Sequence, residues 1–350
     1  MAEFTIDILI KNYPKNHAKR LGLGEEHAGT LGRKSHTDFI FKGFPGFFQH
    51  RRFLSIPFLI MFVVATVGNS VLISVLKRGS GLQSPMYILI GALAVVDLTL
   101  PVLFVPKMLL NFLFDWNSIS LPGCLVQMFF IHMLASLESA FLLVMAIDRY
   151  VAICNPLRYN DYINMSTFLK VSIAVVIRNG LFISLIVIQA GSLSFCLSNV
   201  IEHCYCEHMV LVNFACGNAT QNSIIGLLAI ICILGSDLMF NCYSYCTIFC
   251  TVLKAASGKS RQKAVHTCGT HLIVILLSYS LAIGSFLVYR FRDVVSPDVH
   301  NLMSVMYVIF PSCFNPVIYG VRTKEIREEI LKTVKRKKSN FISFAVVSIN

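Results

Sequence analysis

Apolar residues in this chain gather into seven long blocks, divided by short polar stretches and flanked by two polar ends. Phe53–Leu76 runs for 24 residues without a charge and stops at Lys77-Arg78. The second block opens at Ser84-Pro85-Met86-Tyr87 and continues to about Leu110, with Asp97 alone near its middle. Five more cover Cys124–Ile153, Thr167–Ala190, Asn222–Leu253, Lys263–Tyr289 and Val299–Gly320. About 20 apolar residues suffice for a helix to cross a bilayer core, so each block predicts a membrane-spanning helix. Proline suits the start of the second, because a first-turn N–H has no helical partner to lose. Residues 322–338 are amphipathic enough for a short helix lying on the membrane surface. The predicted fold class is an all-α membrane protein, a seven-helix bundle over residues 53–321 followed by a tail over 322–350. Residues 1–52 are polar and basic with no period, and read as a mostly disordered tail.

Basic residues orient the bundle. Loops after the first, third and fifth spans hold nine: Lys77, Arg78, Arg149, Arg158, Lys170, Lys254, Lys259, Arg261 and Lys263. Loops after the second, fourth and sixth hold Arg290 and Arg292. The positive-inside rule then expects the odd-numbered loops and the C-terminus in the cytoplasm and the N-terminus outside.

Composition agrees. With 55% hydrophobic and 14% charged residues and a mean hydropathy of +0.69, the chain has too few charges to cover a water-exposed surface. The net charge of +12 sits mainly in tails and short loops, which reads as topology information and not as nucleic-acid binding. No cleavable signal peptide is visible at the start, so the first span is expected to serve as its own uncleaved signal.

The third block ends in Met145-Ala-Ile-Asp148-Arg149-Tyr150-Val-Ala-Ile-Cys154-Asn-Pro156-Leu-Arg158-Tyr159, a charged exit from an apolar run. Such a span, with Cys124 near its other end, resembles the third helix of rhodopsin-like G-protein-coupled receptors. The longer string resembles the olfactory receptors. Gly68-Asn69, Lys263-Ala-x-x-Thr267-Cys268-x-x-His271 and Asn315-Pro316-Val-Ile-Tyr319 match further motifs of that family. Gln127-Met-Phe-Phe-Ile-His132, Glu138-Ser139, His203-x-x-Cys206-Glu207-His208 and Tyr289-Arg290-Phe291 are most similar to its class I, or fish-like, branch. The tail lacks the glycosylation site that family members usually carry, Asn12 and Asn16 both standing in the wrong context.

The resemblance implies a receptor that takes a small odorant in a pocket toward the extracellular side and activates a heterotrimeric G protein of the stimulatory olfactory type. Asp148, Arg149 and Tyr150 would hold the inner end shut, with Tyr319, Asn315 and Pro316 taking part in activation. Asp97 belongs to a polar core, and Glu138 could help to hold a structural sodium ion there. The plainer alternative is one protonated acid hydrogen-bonding its neighbour. No other cofactor is expected. Two disulfides are implied, Cys124–Cys206 and Cys196–Cys216, leaving Cys204 over.

A rise of about 1.5 Å per residue puts His132 roughly 12 Å, Glu138 roughly 21 Å and Arg149 roughly 37 Å below Cys124. On the sixth span Tyr279, Ile283, Phe286 and Arg290 share a face by their +4, +3, +4 spacing. Class I receptors often answer to carboxylic acids, and an arginine at the position of Arg290 is the implied anchor, with His132 in the pocket wall. The guanidinium fork suits a carboxylate; the alternatives are a snorkelling Arg290 and a His132 bonded between helices. His203-Cys204-Tyr205-Cys206-Glu207-His208 looks metal-like, and its His-x-x-Cys-Glu spacing resembles a motif proposed for metal in the family. A bridged cysteine is no thiolate ligand, so the expected reading is a half-cystine with surface histidines and no metal. A transporter would need inverted repeats, and a membrane enzyme a cluster such as His-Glu-x-x-His; neither pattern is present. The competing receptor reading, a non-olfactory one for another small ligand, fits an amine poorly, since no acid precedes Glu138 on the third span.

Overall fold

The computed structural model describes residues 35–335 except 80, 83, 197, 218, 256, 257, 292, 293 and 334. Within them seven helical segments are long and apolar enough to cross a membrane: Pro45–Arg78, Pro85–Phe114, Leu121–Cys154, Ser166–Gly191, Thr220–Lys254, Cys268–Arg290 and Pro297–Arg322. Local chemistry sets their starts. Ser120, Asn164 and Ser296 each accept a backbone N–H of the first turn, and prolines stand in the first turn after Ser84, Ser120 and Ser296.

Two spans depart from simple helices. The second is broken rather than continuous to Leu110: helix Pro85–Val102 ends and a second, Val105–Phe114, begins. Pro101 and Pro106 explain it, since each removes a backbone donor and crowds the preceding turn. The fifth span carries a π-turn over Ile231–Gly235 between helices Thr220–Ile230 and Ser236–Ala255. Residues 324–333 form the C-terminal helix, tucked in through Ile326, which is fully buried beside Tyr319.

Helix packing follows from small and polar residues at the seams. Asn69 donates to its own helix at Ala65 O, 2.9 Å, and across to Ser312 O, 2.8 Å. Beside it Gly68 admits the seventh span, because a Cβ there would lie 3.0 Å from Pro316 Cγ. One buried cluster (Leu72, Leu89, Leu93, Met145, Val274, Tyr319) fills the half of the bundle near Asp148. Another (Phe58, Leu100, Phe104, Phe112, Ile131, Tyr205, Val308) fills the opposite half. Outward faces are apolar, as lipid requires: Phe53, Ile60 and Val67 on the first span and Leu181, Leu185 and Ile188 on the fourth are exposed.

A lid covers the end opposite Asp148. Strand β1, Asp38–Phe41, is central in a three-stranded sheet, antiparallel to β2, Ser118–Ser120, and parallel to β3, Val200–Ile201. Phe39 stands opposite Ile119, and Ile40 opposite Val200. The expectation of a mostly disordered tail up to residue 52 is therefore corrected for its last part; residues 1–34 lie outside the described residues. Alternation explains the strand, since Phe39 and Phe41 point inward and are buried while Asp38 and Ile40 point out. Both implied disulfides are present, Cys124–Cys206 and Cys196–Cys216, each with Cα atoms 5.4 Å apart. The first ties the third span to the lid, and Cys204 is free and buried.

Candidate ligand cavity beneath the lid

Between the third to seventh spans and the lid lies a cavity of about 280 Å³. Its wall is mostly aliphatic. Ile131 and Ala135 come from the third span, Ile183 and Ile186 from the fourth, and Ala282, Ile283 and Phe286 from the sixth. The π-turn contributes Ile231, Ile233, Leu234 and Gly235. Such a turn carries one more residue than an α-turn and often marks a functional site, here by bulging the fifth span at the wall.

Polar groups enter this wall at few places. His132 lines the cavity, and its Nε2 is buried with no hydrogen-bond partner among the described residues. Glu207 and His208 reach in from the lid. Burial holds His208 neutral, its pKa lowered to about 3, with the nearby His132 adding to the effect. Gly226 makes room for that imidazole, because a Cβ there would sit 2.7 Å from His208 Cε1. Burial also raises Glu207, to about 7, against a hydrogen bond from Ser304 that lowers it. The expected surface histidines are thus interior ones: His203 and His208 are both buried.

The floor is a charged network. Tyr279 lines the cavity, and its hydroxyl meets Ser139 Oγ at 2.8 Å and accepts from Asn241 Nδ2 at 3.3 Å. Ser139 donates to Asp237 at 2.9 Å, and Asp237 receives two bonds from Arg178, at 2.9 and 3.2 Å. Arg178, a charge inside a span that must either face protein or snorkel to an interface, faces protein.

On the sixth span Tyr279, Ile283 and Phe286, three of the residues that share the expected face, line the cavity, and Arg290 is not part of its wall. Eleven residues of helix put Arg290 about 16 Å along the helix axis from Tyr279, at the end where the sixth span meets the lid. The neighbouring Tyr289 takes its place in the wall, anchored by a bond to Met209 O at 2.8 Å. Periodicity tells which face a residue occupies and not where the lid closes over that face. Also missed were the fourth-span and π-turn residues. Ile183 and Ile186 had a signal in their +3 spacing, and Arg178 with Asp237 had one in their opposite charges.

Away from the cavity, the remaining predicted residues fall into two groups. Asn315 Nδ2 donates to Asp97 at 2.8 Å, leaving Asp97 Oδ1 buried without a hydrogen bond, and Ser278 donates to Glu138 at 3.1 Å. An oxygen left bare beside a second buried acid fits a monovalent cation. Pro316 lies inside the seventh helix next to Asn315. At the far end Asp148 and Arg149 approach to 3.6 Å, and Tyr159 donates to Asp148 at 2.7 Å. Burial and that bond raise the Tyr159 pKa. Tyr150 packs against Ile248, Val252 and Cys268, while Tyr319 is fully buried with its hydroxyl unbonded among the described residues.

Three comparisons bear on most of the chain. A family model described as olfactory receptor matches residues 58–337. Human olfactory receptor 52K1 is 40% identical over 299 residues, covering 85% of this chain and 95% of that one. Mouse olfactory receptor 51E2 is 38% identical over 301 residues, covering 86% and 94%. Among solved structures, squid rhodopsin superposes with a TM-score of 0.65 at 20% identity, over 81% of this chain and 85% of that one. That likeness concerns the fold.

Proposed function

This chain belongs to the olfactory receptor family of G-protein-coupled receptors, and on that premise we propose that it binds a small odorant in the cavity beneath the lid and activates a stimulatory, olfactory-type G protein. The observation that carries the ligand site is His132, a buried imidazole whose Nε2 lacks a partner in a largely aliphatic wall. An unmade hydrogen bond in a dry site is costly, and a ligand that supplies it gains that energy. The occupant is therefore a small amphiphile, with its apolar part over Ile283 and Phe286 and its polar group toward His132.

A carboxylic acid is the class we propose. Arg290 lies one helical turn beyond Phe286 on the same side, so a change of rotamer would bring its long side chain toward the lid end of the cavity. His132 would bond the same headgroup.

In this reading the lid is extracellular and the Asp148–Arg149 pair faces the cytoplasm, where opening would free Arg149 for the G protein. Asp97 and Glu138 would hold a sodium ion in the resting receptor, the cation offsetting two buried acids. A cAMP reporter tests the function with panels of short and medium carboxylic acids, alcohols and amines. Response to an acid, lost with His132→Leu at matched surface expression, is the expected result. Response to amines alone would point to the non-olfactory alternative.

A further inference from the structure

Facing the cavity does not by itself expose a side chain. Ile131, Ile183 and Ile233 line it and are only 2%, 2% and 5% exposed. Ile231 and Ile283 line the same space and are 55% and 44% exposed. That difference, between isoleucines of one wall, is surface turned to the outside of the bundle. Ile231 stands on the fifth span and Ile283 on the sixth. Gly235, one turn on from Ile231, is also both exposed and part of the wall. We propose that the cavity opens sideways between these two spans, and that Ile231, Gly235 and Ile283 rim a mouth through which the ligand enters from the bilayer. The proposal rests on the reading of this cavity as the ligand site, and adds the class of ligand admitted: a bilayer-soluble molecule that travels uncharged.

Packing explains the gap. Among the described residues, Asn241 donates to Tyr279 at 3.3 Å and Tyr245 meets His271 at 2.6 Å, which ties the fifth span to the sixth at the floor and beyond it. Ile248 and Val252 pack with Cys268 still farther from the lid. Toward the lid the fifth span leans on the fourth instead, where Asn222 donates to Gln189 O at 3.1 Å. The π-turn inserts its extra residue between these two attachments, at the level of the wall. Gly235 leaves the rim there without a side chain. A Cβ at that position would meet only Ile231 Cγ2, at 3.8 Å, so the space beside it is open.

The mouth faces hydrocarbon and not water. The sixth span ends at Arg290, and seven residues of helix put Ile283 about 10 Å inside that end, within a bilayer core about 30 Å thick. Ile224 and Leu228 on the fifth span and Leu287 on the sixth are exposed and apolar, so lipid chains reach the rim without meeting a charge. The lid closes the watery side, held by the Cys124–Cys206 bridge and by the bond from Tyr289 to Met209 O. An ionised molecule would have to shed its hydration to cross such a rim, which a neutral one avoids. A carboxylic acid would therefore pass protonated, after collecting in the bilayer.

The test uses the full-length receptor in lipid nanodiscs, with N-phenylmaleimide as the bilayer-soluble probe and a sulfonated methanethiosulfonate as the water-confined one. Ser136→Cys puts a thiol in the cavity wall, and Cys242, free and exposed, is the internal standard. Peptide mass spectrometry reads each site. Gly235→Trp and Ile283→Trp should each slow maleimide addition at position 136 by about ten-fold or more, a barrier raised by about 1.4 kcal/mol. Leu181→Trp, on the lipid face of the fourth span, should not slow it. Ile283→Ala trims the rim and should speed the reaction. An unchanged rate in both plugged variants, at matched unfolding midpoints, would overturn the proposal. If neither plug folds, an unchanged rate in Ile283→Ala decides against it. Labelling of position 136 by the sulfonated reagent as fast as by the maleimide would also overturn it, since the lid would then be the door. The reporter is a thiol and not an odorant, so a silent cAMP panel would count against the proposed function and leave this result intact.

Discussion

Arg178 on the fourth span and Asp237 on the fifth are joined by two hydrogen bonds, of 2.9 and 3.2 Å, with Asp237 fully buried. Ser139 and Tyr279 extend the pair to the floor of the cavity. Besides this pair the fourth span buries Asn179, Ile183, Ile186 and Ala190 among the described residues.

Breaking the pair on one side should cost more than removing it. Truncating one member of a buried ion pair strands a charge and typically costs about 3–5 kcal/mol, whereas an apolar replacement of both is often near neutral. Arg178→Met and Asp237→Leu should each lower the unfolding midpoint of purified receptor, and the double variant should recover most of the loss. Additive losses would show that the two side chains act separately.

Arg149→Ala should abolish the cAMP response while leaving surface expression near wild type. The motivating geometry is Asp148, held by Arg149 at 3.6 Å and by Tyr159 at 2.7 Å. Surface staining by flow cytometry separates the outcomes, because an equal loss of surface protein would make Arg149 a folding residue.

Cys124→Ser and Cys206→Ser should each reduce surface expression, and the double variant should be no worse than either. The bridge fixes the lid above the cavity, and a disulfide of this kind contributes about 2–4 kcal/mol. Thermal unfolding of the three variants measures it.

For an acid agonist, Arg290→Ala should lower potency by roughly ten- to a hundred-fold, the equivalent of about 1.5–3 kcal/mol for hydrogen bonds to charge. Arg290→Lys should restore part of it, since ammonium lacks the planar fork. A neutral alcohol should be unaffected by either. Unchanged acid potency at matched surface expression would leave Arg290 as a residue at the membrane edge, outside the wall where the structure has it.

Much of the architecture was legible in the chain because a bilayer forces each span to satisfy its own backbone. Apolar length alone then marks seven helices, and serine or proline marks where several begin. The motifs around Asp148, Asn315 and Cys124 were enough to place the family, and both disulfides followed from that resemblance. Which side chains meet was decided elsewhere. Strand Asp38–Phe41 has no partner within its own segment, and becomes a strand only because 118–120 and 200–201 flank it. Tyr279, Ile283 and Phe286 were found by helical period, yet Arg290 on the same face fell beyond the cavity because the lid, and not the helix, sets where the wall ends. Periodicity is a property of one helix, whereas a wall or an ion pair such as Arg178–Asp237 exists only once separate elements pack.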